Sequence, residues 1–451
     1  RRVLFRSIAG LGSDVIHASD GNNIVLGDEG GITHQTRTGL RDRITSRYLN
    51  WTTFAVLDAT HAQVGNDRIS AGTGNDVVIG GLGTETITVS DGDNIVFGDE
   101  GFVQYQHQSY TANTSVLGEV SSLFLELADR FVQGGNESIT VGLGADIVIA
   151  GLGDDAIDAS DGDNIVFGDE GTITYQLSTG LRDRIQSRYL DGSGDSPIHA
   201  IEAVVGNDVI TTGIGNDVAI GGLGSETIDV SDGANIVIGD EGEIKYQHRS
   251  AALRQIATHF TDGAGRFVQG GDHTITSGRG RDYILSGSGS EWVVSGDGAD
   301  VILGDGQVLF HSGTGVPATI ETAYQDDNYV LLSSGDSVIF SGGGDDIVFA
   351  GSGNDWVEGG TGGDLLVGDE GIVTFDPGHA AAGEAVVDFI ESVFLTPDGQ
   401  LIPGGSDVLL GQHDDDIVIG GSLDDMLDGG FGRDILVGNH VTLDGPASWS
   451  Q

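Results

Sequence analysis

The sequence predicts a mainly β protein built as a parallel β-roll, a solenoid of short stacked strands. Glycine begins one unit after another at intervals of nine residues. An oxygen-bearing side chain follows two positions later, and an aliphatic residue two positions after that, as in Gly65, Asp67 and Ile69. A fixed short period indicates a solenoid in which each unit forms one turn and one strand. The period holds without slippage through 65–101, 135–171 and 206–242.

Acidic residues dominate the composition and narrow the choice of partners. The 451 residues include 69 acidic and 19 basic side chains, for a net charge of -50. Such a chain repels nucleic-acid phosphates and attracts cations, so we expect no nucleic-acid partner. Without cysteine it forms neither disulfides nor zinc–thiolate sites. No run of about 18 apolar residues exists, so we expect no membrane span, and we interpret the chain, which begins at Arg1 inside a unit, as a piece of a longer protein.

A larger module contains four nonapeptides and an insert of roughly 30 residues. Gly-Asp-Glu-Gly ends most modules, at 27–30, 98–101, 168–171, 239–242 and 368–371. The segment Leu40–Ile44 returns as Leu181–Ile185, so pairs of modules are duplicated as well. We place a partial module at 1–30, an insert plus a module at 31–101, 102–171, 172–242, 243–307 and 308–371, and an insert plus a degenerate terminal module at 372–451.

Each insert is predicted to contain a short strand and then a short helix. Residues alternate in Thr172–Tyr175, which favours a strand. Further along, apolar residues are spaced by threes and fours, which predicts helices of about ten residues that must pack on the roll because they are too short to persist alone. These stripes are Leu40, Ile44 and Tyr48; Leu123, Leu127 and Phe131; Leu253, Ile256 and Phe260; and Val386, Phe389 and Val393.

Alternate nonapeptides predict two different sheets. Units such as Arg68-Ile69-Ser70 place polar residues on either side of the inward aliphatic residue, which indicates a sheet with a solvated outer face. Units such as Ile95-Val96-Phe97 and Ile165-Val166-Phe167 are apolar on both faces. A parallel sheet of this kind is expected to be covered on both faces. We expect the helix of each insert to lie across its outer face, although another chain is an alternative cover.

The repeated acids predict calcium sites. In a roll, units 18 residues apart stack, so Asp67 lies above Glu85. Strands about 4.8 Å apart bring such carboxylates together, and at an effective dielectric near 20 they repel by about 3.5 kcal/mol. Calcium accepts six to eight oxygens from carboxylates and turn carbonyls, whereas magnesium demands a stricter octahedron. The candidate ligands are Asp14, Asp67, Asp76, Glu85, Asn94, Glu137, Asp146, Asp155, Asn164, Asp208, Asp217, Glu226, Asn235, Asp282, Glu291, Asp300, Asp346, Asp355, Asp364, Asp407, Asp416, Asp425 and Asp434.

Two segments give the chain a family resemblance. Gly359–Val367 and Gly429–Val437 resemble full copies of the repeats-in-toxin (RTX) nonapeptide, and less perfect copies cover most of the region outside the inserts. The resemblance implies a right-handed parallel β-roll, multiple calcium ions held in the turns, and bacterial secretion through a one-step channel to the outside. It therefore implies a secreted, extracellular or cell-surface location.

Several positions depart from the repeat. Asn23 and its equivalents Asn94, Asn164 and Asn235 place a neutral oxygen where the acid is expected, and His273 and Ser337 open two other modules. These positions are expected to bind calcium weakly or only to cap the stack. Asp414 and Leu423 occupy glycine positions, so the turns of the last module are expected to be distorted.

The sequence favours a structural function over a catalytic one. It contains no zinc-protease motif, no nucleophile elbow and no phosphate-binding loop, and carboxylate pairs carry no information among so many acids. We predict a non-enzymatic, calcium-binding structural region of a secreted bacterial surface, matrix or fibre protein that folds and becomes rigid outside the cell. One alternative is a secretion and folding appendage of a hydrolase or toxin. Another is a glycan-binding adhesin segment, and self-association or continuation into further repeats stays open.

Overall fold

A computed structural model describes residues 6–10, 12–36, 38–46, 65–107, 115–123, 134–187, 206–259, 270–322, 335–380, 382–395, 401–402 and 404–444. Within these ranges all regular elements are β-strands except one short helix, α1 (Pro377–Ala380). The chain divides into two compact units. The first comprises Arg1–Leu223 with Thr261–Val268, and the second Gly224–Phe260 with Gln269–Gln451. In the described residues no helix has the length and apolar character needed to cross a membrane.

The first unit contains three sheets, which we call the apolar, polar-faced and hairpin sheets. The apolar sheet contains, in spatial order, β1 (Arg6–Ile8), β3 (Ile24–Leu26), β7 (Val77–Ile79), β9 (Ile95–Phe97), β13 (Ile147–Ile149), β15 (Ile165–Phe167) and β19 (Val218–Ile220). The polar-faced sheet contains β2 (Val15–His17), β6 (Arg68–Ala71), β8 (Thr86–Val89), β12 (Ser138–Val141), β14 (Ala156–Asp158) and β18 (Val209–Thr211). The hairpin sheet contains β4 (Gly30–His34), β5 (Arg41–Ser46), β10 (Gly101–His107), β11 (Ser115–Ser122), β16 (Thr172–Tyr175) and β17 (Arg182–Gln186).

The second unit repeats the three sheets. Its apolar sheet contains β21 (Ile236–Ile238), β25 (Tyr283–Leu285), β27 (Val301–Leu303), β31 (Ile347–Phe349), β33 (Leu365–Val367), β37 (Ile417–Ile419) and β39 (Ile435–Val437). Its polar-faced sheet contains β20 (Thr227–Asp229), β24 (Thr274–Thr276), β26 (Trp292–Val294), β30 (Val338–Gly343), β32 (Trp356–Thr361), β36 (Val408–His413) and β38 (Met426–Asp428). Its hairpin sheet contains β22 (Gly242–Tyr246), β23 (Leu253–Thr258), β28 (Gly306–Phe310), β29 (Pro317–Thr322), β34 (Gly371–Phe375), β35 (Val387–Ser392) and β40 (Thr442–Asp444).

The nonapeptides stack in the register that their period predicts. In the polar-faced sheet Ile69 pairs with Ile87, and in the apolar sheet Val78 pairs with Val96, 18 residues on in each case. Both pairings are parallel. These central aliphatic side chains are buried and form the core of the roll. The predicted parallel β-roll is therefore confirmed.

The two sheets of the roll differ in exposure as the flanking residues predict. All three residues of β7 are buried, and so are all three of β9. In β6, by contrast, Arg68 is exposed and Ser70 is half-buried on either side of the buried Ile69. One sheet thus has both faces buried, whereas the other has one face in solvent.

The hairpin sheet covers the outer face of the apolar sheet. Phe97 and Phe167 are almost completely buried. A Cβ atom built on Gly101 of β10 would lie 2.2 Å from the ring of Phe97, and one on Gly171 would lie 2.5 Å from the ring of Phe167. Glycine at the start of the hairpin strand therefore leaves the space that the ring fills. The expectation that this face is covered is confirmed.

The covering element is a β-hairpin, so the helices predicted at the apolar stripes are wrong wherever those stripes are described. Ile44, Ile256 and Phe389 lie in strands of antiparallel hairpins. Each hairpin contains a bulge. In one of them Tyr246 pairs with Leu253 and Lys245 pairs with Gln255, so Arg254 has no partner across the hairpin ladder. This extra residue turns a strand spacing of two into the spacing of three that resembles a helix. Tyr48, Leu127, Phe131 and Phe260 lie outside the described residues.

The last module keeps its turns by straining three residues. Asp414 and Leu423, which stand at glycine positions, have φ angles of 77° and 69°, and Gln412, which pairs with Gly360, has a φ of 74°. This left-handed conformation suits glycine and costs other residues about 1–2 kcal/mol. The expected distortion is thus a backbone strain, with the glycine-like path of the turn retained.

Candidate metal sites

Each predicted acid sits between a glycine turn and a strand, and in most of the aspartates one oxygen is fixed by the neighbouring turn. Asp146 Oδ1 accepts a hydrogen bond from the backbone N–H of Asn94 at 2.7 Å. Asp282 Oδ1 accepts one from the N–H of Asn235, also at 2.7 Å. The same contact recurs along both units. One oxygen of the carboxylate therefore links the acid to the adjacent turn.

The second oxygen of these carboxylates is buried against the turn. A Cβ atom at Gly359 would lie 2.4 Å from Asp364 Oδ2, and one at Gly411 would lie 2.2 Å from Asp416 Oδ2. Glycine is required there because any side chain would displace the carboxylate. In the described part of the chain this oxygen has no hydrogen-bond partner in Asp67, Asp76, Asp146, Asp155, Asp282, Asp300, Asp346, Asp355, Asp364, Asp407, Asp416 and Asp425.

Burial disfavours the ionised form of these carboxylates and so raises their pKa values. Loss of hydration on burial raises the pKa of Asp364 to about 8, and repulsion from Asp346 and Asp416 adds to the effect. Burial likewise raises the pKa of Asp346 and of Asp146 to about 7. Buried ions without a partner are costly. A cation in the turns would remove that cost.

The candidate residues fall into two rows on either side of the polar-faced strands. The first row precedes the polar-faced strands: Asp14, Asp67, Glu85, Glu137, Asp155 and Asp208 in the first unit, and Glu226, Glu291, Asp355, Asp407 and Asp425 in the second. The second row precedes the apolar strands: Asp76, Asn94, Asp146, Asn164 and Asp217, and then Asn235, Asp282, Asp300, Asp346, Asp364, Asp416 and Asp434. Asp14, Asp425 and Asp434 are partly exposed because they lie at the first or last described strands, and the others are buried.

The asparagines of the second row provide their own donor to the turn. Asn94 Nδ2 donates to the carbonyl oxygens of Ser90 at 3.0 Å and Gly92 at 2.9 Å, while its Oδ1 accepts from the N–H of Asp76 at 3.0 Å. Asn164 Nδ2 likewise donates to the carbonyl of Gly162 at 3.0 Å. At these turns an amide group occupies the place of the second carboxylate oxygen. Weak calcium binding at the asparagine turns stays a prediction.

The structure adds one class of residue that the sequence reasoning used only as a module marker. The aspartate of Gly-Asp-Glu-Gly reaches into the first row. Asp99 Oδ2 accepts from the N–H of Leu152 at 2.9 Å, and Asp28 Oδ2 accepts from the N–H of Leu82 at 3.0 Å. Its regular recurrence was the signal available in the sequence, but only the fold brings it beside acids of two other nonapeptides.

Asp99 completes a cluster of three buried carboxylates, with Glu85 and Glu137. One oxygen of each lies within 4.8 Å of the others. Calcium, at about 2.3–2.6 Å from each ligand, can bridge oxygens up to about 5 Å apart, whereas magnesium spans only about 4.2 Å. Three carboxylates can supply up to six of the oxygens that calcium takes. The residues of the cluster fit calcium.

The charge balance of this cluster also favours a cation. Neither oxygen of Glu85 or of Glu137 has a hydrogen-bond partner among the described residues. Burial raises the pKa of all three carboxyl groups far above their usual range, and their mutual repulsion contributes to the rise for Asp99 and Glu137. A divalent ion is the simplest way to keep them ionised inside the roll.

Comparison with known protein families agrees with this geometry. The chain is a parallel β-roll whose turns carry rows of buried carboxylates. The model of the RTX calcium-binding nonapeptide repeat (4 copies) matches residues 6–31, 61–96, 79–101, 133–172, 203–237, 220–243, 269–302, 323–357 and 404–436. These segments cover more than half of the chain, so the protein belongs to this family. No curated protein matches the sequence.

Proposed function

We propose that this chain is a calcium-binding structural region of a secreted bacterial surface or extracellular matrix protein, which folds and stiffens when calcium binds outside the cell. Membership of the RTX family supports calcium as the ligand. The observation behind the proposal is the set of buried carboxylate oxygens in the turns, each left without a hydrogen-bond partner among the described residues. There are too many of these oxygens for neighbouring side chains to provide a hydrogen-bond donor to each one.

Energetics supports folding that depends on calcium. Burying an ionised carboxylate costs several kcal/mol even after relaxation. A folded domain is typically stable by only about 5–15 kcal/mol, so a few unneutralised carboxylates are enough to unfold it. Calcium binding to the folded state supplies the missing free energy. Extracellular calcium modules typically bind with dissociation constants of about 10⁻⁴ to 10⁻³ M, which suits folding after export.

A structural role is favoured over a catalytic one by where the acids lie. Their side chains are buried in the turns of the roll, as Asp146 and Asp282 illustrate. Catalytic carboxylates must reach a substrate in a cleft. We propose that the carboxylates bind metal only, and that the exposed face of the polar-faced sheet and the hairpins form the outer surface of a stalk or fibre.

Circular dichroism with and without calcium tests the proposal. The chain, first depleted of calcium by a chelating resin, is expected to lose its β signal at pH 8 and to regain it on titration with calcium chloride into the millimolar range. Magnesium chloride at the same concentrations is the control and is expected to restore far less. A β signal and a melting temperature that are unchanged by calcium removal would contradict the proposal. Electron microscopy of the calcium-loaded chain then tests fibre formation separately.

A further inference from the structure

The outer face of the polar-faced sheet differs in chemistry between the two units. In the first unit its side chains are mostly polar, as in Arg68 and Ser70 of β6 or Thr86 and Thr88 of β8. In the second unit, five adjacent strands from β26 to β38 place mostly apolar side chains there. They form two rows across the sheet, which we call the aromatic face: Trp292, Val338, Trp356, Val408 and Met426, and then Val294, Phe340, Glu358, Leu410 and Asp428.

The aromatic face is open to solvent. Trp292 is 49% exposed and Trp356 is 42% exposed. Phe340 and Leu410, in the neighbouring row, are half-buried. Apolar surface left in water is unfavourable, and a contiguous exposed patch of it marks an interaction site. The aromatic face therefore has the properties of a binding surface.

The two tryptophans of the face are in register. Trp292 pairs with Val338, and Val338 pairs with Trp356 on the next strand. Two steps of about 4.8 Å place the backbones of the two tryptophans about 10 Å apart across the sheet. An extended chain of β-1,4-linked pyranoses repeats over the same length and turns every second sugar to the same side. The C–H face of such a sugar packs on the electron-rich face of an aromatic ring.

Both indole rings are held in place by neighbouring side chains. Trp356 Nε1 donates to Glu358 Oε1 at 3.0 Å, and Glu358 Oε2 accepts from Gln412 Nε2 at 2.7 Å. The ring of Trp292 packs against that of Phe340, with 5.5 Å between their centroids. Side chains that are already fixed lose little conformational entropy when a ligand binds. The two indoles therefore form a prepared platform.

The size and charge of the face favour a narrow, uncharged ligand over a second copy of the chain. Five strands and two rows of side chains give the face an area of roughly 300 Å². A stable protein interface needs about 800 Å² from each partner. The net charge of -50 repels a second copy as well as any anionic polymer. A single neutral chain of sugars meets both limits.

We propose that the aromatic face binds a β-1,4-linked glucan, which lies across the strands with its sugars stacked on Trp292 and Trp356. Glucan is favoured over chitin because each acetamido group of chitin needs a hydrogen-bond partner. The surroundings of the indoles are mostly apolar, and both oxygens of Glu358 already accept hydrogen bonds. This inference rests on the proposed calcium-dependent fold, and it adds a ligand for the outer surface of the stalk or fibre.

Co-sedimentation of the full chain with microcrystalline cellulose in saturating calcium tests the proposal, with circular dichroism confirming that each variant is folded. The natural chain is expected to bind. Trp292→Ala and Trp356→Ala should each weaken binding about tenfold or more, because each removes a central aromatic contact. Phe394→Ala is the control, since Phe394 is an aromatic residue of similar exposure, 39%, outside the aromatic face. It should leave binding unchanged.

A double exchange tests the spacing of the rings. Val338→Trp combined with Trp356→Val keeps the composition of the face but moves the two tryptophans to adjacent strands, about 5 Å apart. This variant is expected to lose binding to cellulose, because its rings no longer match the repeat of the sugar chain. Binding equal to that of the natural chain would show simple adsorption to an apolar surface and would overturn the proposal.

The remaining outcomes separate this inference from the proposed function. A chain that folds in calcium but does not bind cellulose contradicts the inference and leaves the proposed function intact. A chain whose fold does not respond to calcium contradicts the proposed function instead. Stronger binding to chitin or to α-1,4-linked starch overturns the assignment to a β-1,4-linked glucan. Dimers in analytical ultracentrifugation that Trp356→Ala abolishes would identify a second copy as the occupant and would also overturn it.

Discussion

Two kinds of turn alternate along the second row of the first unit, and they differ in what neutralises the turn. At Asp146 one carboxylate oxygen is fixed by a backbone N–H and the other has no partner among the described residues. At Asn164, the next position in the stack, the amide nitrogen donates to turn carbonyls. Asp146 needs an external cation, whereas Asn164 provides an N–H. The need for calcium is therefore decided separately at each turn, by whether the residue is aspartate or asparagine.

Removing calcium at different pH values should produce the largest effect. Burial raises the pKa of Asp146 to about 7 and of Asp364 to about 8, above the value of about 3.9 in unfolded chains. A raised folded-state pKa contributes stability that is complete below the unfolded value and is lost as pH rises through the folded value. The calcium-depleted chain should therefore be folded near pH 4–5 and lose its β signal between about pH 5 and pH 8.

Circular dichroism of the depleted chain across this pH range measures the effect, and the asparagine turns should not contribute to it. With saturating calcium the carboxylates stay ionised, so the loss at high pH should disappear. A depleted chain whose stability is constant or rises from pH 5 to pH 8 would refute the charge argument for the aspartate turns.

Truncating a side chain of the covered core should cause the next largest loss of stability, and this loss should not depend on calcium. Phe167→Ala removes a ring packed between the apolar and hairpin sheets, and such truncations cost about 3–5 kcal/mol. Urea unfolding should show the same loss at saturating and at limiting calcium, because no turn is altered. Thr140→Ala, on the exposed face of the polar-faced sheet, is the control and should cost about 0.5 kcal/mol or less. A loss that vanishes in calcium would show that the ring acts through the turns.

Converting an asparagine turn into an aspartate turn should follow. Asn164→Asp removes the donor to the carbonyls of Ser160 and Gly162 and adds a buried charge. Leaving such groups unsatisfied costs about 1–3 kcal/mol, or more for a charge. Urea unfolding of the calcium-limited variant should show this loss, and saturating calcium should restore it with one additional ion bound. An unchanged calcium dependence would mean that the two kinds of turn are equivalent.

The reverse substitution should give the smallest effect. Asp146→Asn keeps the oxygen that accepts from Asn94 and replaces the unpaired oxygen with an amide that can donate to the turn. The calcium-limited chain should gain about 1 kcal/mol, the typical worth of one hydrogen bond. Equilibrium dialysis should find one calcium ion fewer. Greater calcium binding by this variant would argue against aspartate as the ligand in the second row.

The sequence predicted the repeating part of the fold because each nonapeptide contains its own structural information. Glycine allows the turn, the acid follows it, and Ile69 or Val78 fills the core, so the register between units 18 residues apart follows from the period alone. The difference between the two sheets was also readable, since Arg68 and Ser70 flank one aliphatic residue while Val77 and Ile79 flank the other.

The inserts were misread because a β-bulge imitates a helical spacing. Leu253 and Ile256 are three residues apart, yet the unpaired residue between Leu253 and Gln255 makes room for both in one strand of a hairpin. Local spacing cannot distinguish the two when the segment is short. The candidate acids were found by their period, but Asp99 was not, because its proximity to Glu85 and Glu137 joins three separate nonapeptides.

By itself, the sequence determined the solenoid, the identity of the repeating acids and the need to cover the apolar sheet, because each of these follows from a local pattern of nine residues. The tertiary structure decided which element covers that sheet and which groups share one buried charge environment. Those outcomes depend on contacts between segments far apart in the chain. His273 shows the distinction: its departure from the repeat is visible in the sequence, but its position between Asp240 and Glu226 is known only from the fold.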